Sequence, residues 1–138
     1  MATHHSELKW IDELKFDVLQ NSKTLRIDGN PDEAVSTGFR PKALILSALA
    51  GCTAIDVVDM LKKMRVEFSD FSIKTSGELT EEHPRTYHIV NITYIVRLAN
   101  AEDKDKFEKA VTLSEEKYCG VSAMVRKFAT LNIALEYL

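Results

Sequence analysis

Apolar and polar residues alternate near the start of the chain, which predicts a meander of three short β-strands over residues 7–27. Leu8 and Trp10 fall on one face of the first predicted strand, and short polar breaks separate the strands. Residues 28–38 contain two glycines, a proline and several small polar side chains. They predict a loop of a length at which loops tend to be functional or mobile.

Residues 43–58 have a different pattern, because twelve of their sixteen side chains are apolar. Pro41 precedes the run and suits the first turn of a helix, where its missing N–H leaves no bond unmade. A helix that is apolar on nearly every side cannot lie on a surface. The run therefore predicts a helix that crosses a core or is covered by a partner chain. The four exceptions in it are Ser47, Gly51, Thr53 and Asp56.

Strand and helix patterns follow one another in the remainder of the chain. Residues 66–79 and 86–98 alternate and predict a long hairpin. The second strand of that hairpin has one face made of Val90, Ile92, Tyr94 and Val96. Helices over residues 102–117 and 118–127 and a strand over residues 131–138 complete the order βββ-α-ββ-α-α-β. Because single strands and helices do not alternate regularly, we expect an α+β fold with mostly antiparallel strands.

Length and charge narrow the class of protein. The 138 residues suit a single domain over residues 1–138, and the net charge of −3 argues against a nucleic-acid partner. No apolar signal segment begins the chain, and the uncharged apolar stretch over residues 43–55 is shorter than the ~20 residues of a membrane span. We therefore expect a cytoplasmic protein without a membrane partner. No zinc-ligand or phosphate-loop motif is present, so we expect no metal and no cofactor.

Two cysteines are too few for a disulfide scaffold but sufficient for one redox pair. Cys52 lies in the apolar helix, where a cysteine is ordinarily a small buried hydrophobic residue. Cys119 precedes a predicted helix, whose dipole would lower the pKa of a thiol there. Asp56 follows Cys52 by one helical turn and would disfavour a thiolate unless it is turned away or paired. The residues alone leave open whether the two thiols meet or are only structural.

Two segments around these cysteines resemble the OsmC/Ohr family, which comprises osmotically inducible protein C and the organic hydroperoxide resistance proteins. The first is PKALILSALAGCTAIDVV, residues 41–58, and the second is EEKYCGV, residues 115–121. They resemble in particular the YhfA-like branch, in which a GC-[ST]-AIDVV helix and a KYC-x-V turn recur. The resemblance extends over nearly the whole chain. It implies an OsmC-like fold, an intertwined homodimer whose long central helices are wrapped by sheets.

The resemblance also implies a thiol peroxidase that reduces organic hydroperoxides in oxidative or osmotic stress defence. In that family the cysteine of the central helix attacks the O–O bond, and the second cysteine condenses with the resulting sulfenic acid to a disulfide. A dithiol reductant then restores both thiols. Carried over to this sequence, Cys52 is the peroxidatic cysteine and Cys119 the resolving cysteine. The partners of the homodimer are then a small-molecule hydroperoxide and a dithiol.

One position departs from the family pattern. Strongly active members use an arginine from the N-terminal region, oriented by a glutamate just after the helix-opening proline, and here Lys42 occupies the glutamate position. Lysine cannot anchor an arginine, although it can supply a positive charge itself. Arg26 and Arg40 are the nearest arginines in the N-terminal half. We take Arg40 and Lys42 as the candidates for substrate binding or for activation of the thiolate.

Two further hypotheses stay open at this point. Lys42 and Asp56 motivate a dimer of the same fold that has little peroxidase turnover and binds a small apolar or anionic ligand. Alternatively, both cysteines are core residues of a dimer with another role. The separation of the two sulfurs distinguishes these hypotheses from the peroxidase, because widely separated thiols cannot form a disulfide.

Overall fold

A computed structural model describes all 138 residues and divides them into two compact units, residues 1–45 and 46–138. The first unit contains an antiparallel sheet whose strands run in the order β1 (Glu7–Asp12), β2 (Lys15–Gln20) and β3 (Lys23–Asp28). Residues with positive φ occupy the tight turns between these strands. The three-stranded meander that the sequence predicts is therefore confirmed.

The loop that follows β3 is held by the buried carboxylate of Asp28. This carboxylate accepts a hydrogen bond from the backbone N–H of Thr37 at 2.9 Å and another from that of Asn30 at 2.8 Å. Both bonds stabilise the charged form and hold the pKa of Asp28 below its ordinary value. One side chain therefore ties the two ends of this irregular segment together.

The long apolar helix that the sequence predicts is α1 (Ala43–Lys63). Its buried residues recur every four positions and are Leu49, Thr53, Val57 and Leu61. On the other side of the helix, Ile55 is 73% exposed, so a single chain covers α1 on one side only. At 21 residues α1 could cross a membrane by length and composition. Its buried side packs on the core of the second unit, however, as the central helix of a globular fold does.

The sheet of the second unit consists of β4 (Phe68–Leu79), β5 (Tyr87–Leu98) and β6 (Thr130–Tyr137), in that order. β4 and β5 form the predicted antiparallel hairpin, and β6 pairs with β5 in parallel. Parallel pairing needs a crossover, which the helices between β5 and β6 provide. Tyr94 lies on the core-facing side of the central strand β5 and has no exposed surface.

The crossover contains two helices, α2 (Lys104–Leu113) and α3 (Gly120–Arg126). A 3₁₀ turn precedes α2, and a π-helical turn at Ser114–Tyr118 separates α2 from α3. The α-helix predicted over residues 102–117 is therefore shorter than predicted. Its expected buried face is correct and consists of Phe107, Ala110, Val111 and Ser114.

The α+β class and the predicted order of strands and helices are confirmed. The only parallel pair is β5 with β6, so the strands are mostly antiparallel as expected. The single domain over residues 1–138 stays a prediction. The homodimer also stays a prediction, since the structure contains one chain.

Candidate functional site

The two cysteines are neighbours in the second unit, although they are far apart in the sequence. Cys52 is half-buried on α1, and Cys119 is 3% exposed at the start of α3. Both are free thiols. Burial raises the pKa of the Cys119 thiol above its ordinary value, and the nearby Cys52 thiol adds to that rise. The structure thus brings together the two residues that the sequence proposes as a redox pair.

Cys119 occupies the position before the first turn of α3, as the sequence predicts. Its sulfur accepts a hydrogen bond from the backbone N–H of Ser122 at 3.3 Å, and that bond lowers the pKa of the thiol. Burial has the larger effect, however, and raises the pKa of Cys119 above its ordinary value. The expectation of a lowered pKa at this position is therefore wrong, because loss of solvent outweighs the helix terminus.

Ser122 contacts the same thiol through its side chain. It is fully buried, and its hydroxyl has no hydrogen-bond partner in standard geometry. The hydroxyl nevertheless lies close enough to Cys119 to lower the pKa of that thiol. Ser122 thus supplies polarity beside a sulfur that is otherwise cut off from water.

A chain of buried hydroxyl groups begins one residue after Cys52. The hydroxyl of Thr53 lies 2.7 Å from the phenol of Tyr94, and the phenol in turn bonds to the carboxylate of Glu115. Burial, and then the bond to Glu115, raise the pKa of Tyr94 far above its ordinary value. Glu115 itself is only 3% exposed. A carboxyl group is therefore held in the core by a phenol that stays protonated.

The same threonine connects to a second carboxyl group. Its hydroxyl lies 2.7 Å from that of Ser114, which is 3.0 Å from a carboxylate oxygen of Asp56. Asp56 is therefore paired, as the sequence requires if it is not to oppose a thiolate at Cys52. We name the five linked side chains the hydroxyl chain; they are Asp56, Ser114, Thr53, Tyr94 and Glu115.

Arg126 is the cation at the inner end of the hydroxyl chain. Its guanidinium donates to the backbone carbonyl of Glu115 and lies 3.4 Å from the carboxylate of the same residue. The guanidinium is 38% exposed, whereas the carboxylate side chain is 1% exposed. A buried carboxylate needs such a partner, because an isolated charge in the core is strongly unfavourable.

Arg40 and Lys42, the two candidates for activation, belong to the first unit. The Arg40 guanidinium is bound to Glu33 at 2.8 Å and to the carbonyl of Asp28 at 2.8 Å. Lys42 is exposed and forms no salt bridge. The role of either residue in activating a thiolate stays a prediction.

A groove of about 620 Å³ opens beside the Asp56 end of the hydroxyl chain. Met60, Met64 and Leu113 form its apolar part. Two lysines and two aspartates also line the groove; Lys63 is bound to Asp59, whereas Lys109 forms no salt bridge and could meet an anionic group. The surface therefore combines an apolar wall with charged side chains of both signs.

Most of the hydroxyl chain is not apparent from the sequence. Thr53 and Asp56 are two of the four residues in the apolar helix that are not apolar themselves. Their polarity in that setting is the one sequence feature that could have identified them. The sequence predicts that Tyr94 shares a face of its strand with three apolar residues, but Glu115, the partner of its phenol, lies 21 residues later. No sequence pattern distinguishes Arg126 as a functional residue, because it occupies an exposed position at the end of a short helix.

The fold and the paired thiols define an α+β protein of the OsmC type. Residues 31–134 match the family of OsmC-like proteins, and the chain belongs to that family. The resemblance of the two cysteine segments to this family is therefore confirmed.

Known proteins resemble the chain over nearly its full length. Protein YhfA of Escherichia coli strain K12 is 34% identical over 133 residues, which cover 96% of this chain and 95% of that protein. A hypothetical protein from Aquifex aeolicus VF5 has 30% identity and a TM-score of 0.87, over 100% of this chain and 98% of its own. The organic hydroperoxide resistance protein OhrB of Bacillus subtilis has 17% identity and a TM-score of 0.63, over 96% and 98%. The similarity to YhfA agrees with the branch that the sequence motifs indicate, and OhrB shares the fold.

Proposed function

We propose that the protein is a cytoplasmic, thiol-dependent peroxidase that reduces organic hydroperoxides as part of stress defence. The observation that carries the proposal is the pair of free thiols, Cys52 and Cys119, which interact inside an OsmC-like fold. A metal is not needed for this reaction, because sulfur is both the nucleophile and the electron donor. The hydroperoxide resistance proteins that share the fold support the same chemistry.

The two thiols have separate roles in the proposed cycle. The Cys52 thiolate attacks the outer peroxide oxygen, an S–O bond forms as the O–O bond breaks, and the alkoxide leaves and takes up a proton. The Cys119 thiol then attacks the sulfenic acid on Cys52, forming a disulfide and releasing water. A dithiol reductant exchanges with that disulfide, becomes oxidised itself and restores both cysteines.

The proposed enzyme is a homodimer, and the uncovered side of α1 supports this. Ala48, Gly51 and Ile55 lie exposed on that side, so an apolar strip of the central helix faces outward. A single soluble chain rarely leaves such a strip uncovered. Sedimentation equilibrium should therefore give twice the mass of one chain. Ile55→Asp should shift it to the monomer, whereas Ser72→Asp, an exposed position on β4, should leave it unchanged.

Titration with cumene hydroperoxide tests the peroxidase directly. One equivalent should consume both thiols and yield one intramolecular disulfide, which peptide mass spectrometry should locate between Cys52 and Cys119. A second addition, made after treatment with dithiothreitol, should repeat the cycle. Persistence of both free thiols after excess peroxide would refute the proposed function.

The groove beside Asp56 supports a second candidate function, the binding of a small amphipathic anion with little peroxidase turnover. Its apolar wall and Lys109 suit a ligand with a hydrocarbon body and a carboxylate. A thermal-shift screen with fatty acids and lipoyl compounds tests this function. A rise in Tm that Lys109→Ala removes supports binding at the groove, and an unchanged Tm with every compound refutes it.

A further inference from the structure

The hydroxyl chain contains more hydrogen bonds than its hydroxyl groups can supply with protons. It has four bonds, which join Asp56 to Ser114, Ser114 to Thr53, Thr53 to Tyr94, and Tyr94 to Glu115. Each bond needs one hydrogen between its two oxygens. The three hydroxyl groups contribute one hydrogen each, and an ionised carboxylate contributes none. With both carboxylates ionised, the chain is one proton short.

The shortage would fall on Thr53, at the middle of the chain. If Tyr94 donates to Glu115 and Ser114 donates to Asp56, both hydroxyls must accept from the threonine. Thr53 has one hydrogen but lies 2.7 Å from each neighbouring oxygen, so one of these contacts would place two lone pairs against each other. An oxygen pair at that distance, away from water, is a hydrogen bond only when a proton lies between them.

We infer that the hydroxyl chain holds one additional proton and that this proton resides on Asp56. The bonds then run in one direction, from Asp56 through Ser114, Thr53 and Tyr94 to Glu115. Every oxygen pair contains one hydrogen in this arrangement.

Arg126 decides which carboxyl group is protonated. Its guanidinium lies 3.4 Å from the carboxylate of Glu115 and favours the ionised form at that end. Asp56 has Ser114 as its hydrogen-bond partner. On α1, Asp59 is already bound to Lys63 at 2.7 Å, so that pair adds little net charge beside Asp56. Lys109 lines the same groove and is the unpaired cation that opposes the assignment, although it forms no salt bridge with Asp56.

The placement of this proton deepens the proposed function and rests on it. Asp56 follows Cys52 by one turn of α1, so both side chains lie on the same face of the helix. A neutral Asp56 does not repel a thiolate at Cys52. When the thiolate breaks the O–O bond, Asp56 gives its proton to the leaving alkoxide, and an alcohol and an aspartate carboxylate result. Solvent entering from the groove then returns a proton to Asp56.

Infrared spectroscopy of the full chain tests the proton without any use of peroxide. At pH 7 ordinary carboxyl groups are ionised, so the carbonyl stretch of a protonated acid should come from this site alone. Cell-free synthesis allows the carboxyl carbons of aspartate or of glutamate to be labelled with ¹³C. The band should shift in the aspartate-labelled protein and stay in place in the glutamate-labelled one. No band overturns the extra proton, and a shift with glutamate label alone overturns its assignment to Asp56.

Three variants add a readout that a structural role would not change. Asp56→Asn should remove the band, while Asp70→Asn, at an exposed position on β4 outside the groove, should keep it. Thr53→Val touches neither carboxyl group but divides the chain into two parts that each have enough protons. It should therefore also remove the band, and a band that persists in folded Thr53→Val contradicts the proton count.

Single-turnover kinetics separate this inference from the proposed function. General acid catalysis contributes on the order of 100-fold or more, so Asp56→Asn should slow sulfenic acid formation by about that factor relative to Asp70→Asn. An equal rate in the two variants overturns the role of Asp56 as proton donor. If the parent protein consumes no peroxide, the proposed function fails, while the infrared result still decides the position of the proton.

Discussion

Cys52 and Cys119 differ sharply in their surroundings, although they form one pair. Cys52 is half-buried on a long helix, next to a hydroxyl chain in which every side chain has a partner. Cys119 is almost fully buried, and the hydroxyl of Ser122 beside it forms no hydrogen bond of standard geometry. Burial keeps the pKa of Cys119 high. The two thiols are therefore close together without being equivalent, because only Cys52 is accessible to an oxidant from solvent.

The largest expected effect concerns which thiol reacts first. Cys52→Ser should reduce peroxide consumption to the background rate, because the accessible nucleophile is lost. Cys119→Ser should keep the first turnover but then accumulate sulfinic and sulfonic acid at Cys52, since no thiol condenses with the sulfenic acid. Stopped-flow consumption of cumene hydroperoxide and intact-mass spectrometry measure both effects. Peroxide consumption by Cys52→Ser at the parent rate would reverse the roles.

The hydroxyls beside the two cysteines should differ in their effect on stability. Thr53→Val leaves Tyr94 and Ser114 without their shared partner in the core, so the free energy of unfolding should fall by about 1–3 kcal/mol. Ser122→Ala removes a hydroxyl whose only contact is a poorly aligned one with the Cys119 thiol, and should change the free energy of unfolding by less than about 0.5 kcal/mol, or raise it. Urea unfolding of both variants checks the difference. Equal losses would show that the two surroundings are energetically alike.

The pKa of Cys119 should change when either of its two polar neighbours is replaced. Because Cys52 raises the pKa of Cys119, Cys52→Ser should lower it. Ser122→Ala should raise it, since the serine hydroxyl lowers the pKa of the parent thiol. The rate of iodoacetamide alkylation, followed against pH by peptide mass spectrometry, gives both values. A shift in the opposite direction in either variant would contradict the contacts described here.

The smallest effect is on stability at alkaline pH. The pKa of Cys119 is higher in the folded chain than its ordinary value of 9.0, so above that value the unfolded chain loses its proton first. The unfolded state then binds fewer protons, and stability falls as the pH rises from about 9 through the folded pKa. Cys119→Ser should flatten this slope in chemical denaturation at pH 8–11. Tyr94 contributes a similar slope from pH 10, which the variant should retain.

The fold was predictable because its signals are local. Alternation over β4 and β5 and the apolar run of α1 each follow from one stretch of sequence. The position of Cys119 before a helix was predictable for the same reason. The direction of its pKa was not, because burial depends on residues from other elements that the local pattern does not include.

The hydroxyl chain could not be predicted from the sequence. Its members come from α1, β5 and the π-helical turn, and each bond joins residues at least twenty positions apart. Thr53 alone could be expected to take part in a buried hydrogen bond, because a polar residue in an apolar helix needs a partner. Nothing in the sequence identifies that partner as both Tyr94 and Ser114, since three elements must pack before the oxygens meet.

The π-helical turn makes the spacing between Ser114 and Cys119 sensitive to insertions and deletions. The backbone bond from Cys119 N to Ser114 O spans five residues at 2.7 Å, one more than an α-helix spans. Removal of one residue from this turn would restore ordinary helix and rotate Cys119 by about 100° relative to Ser114. A change of length here would therefore separate the thiol of Cys119 from the elements that hold it beside Cys52, even if every side chain of the hydroxyl chain were kept.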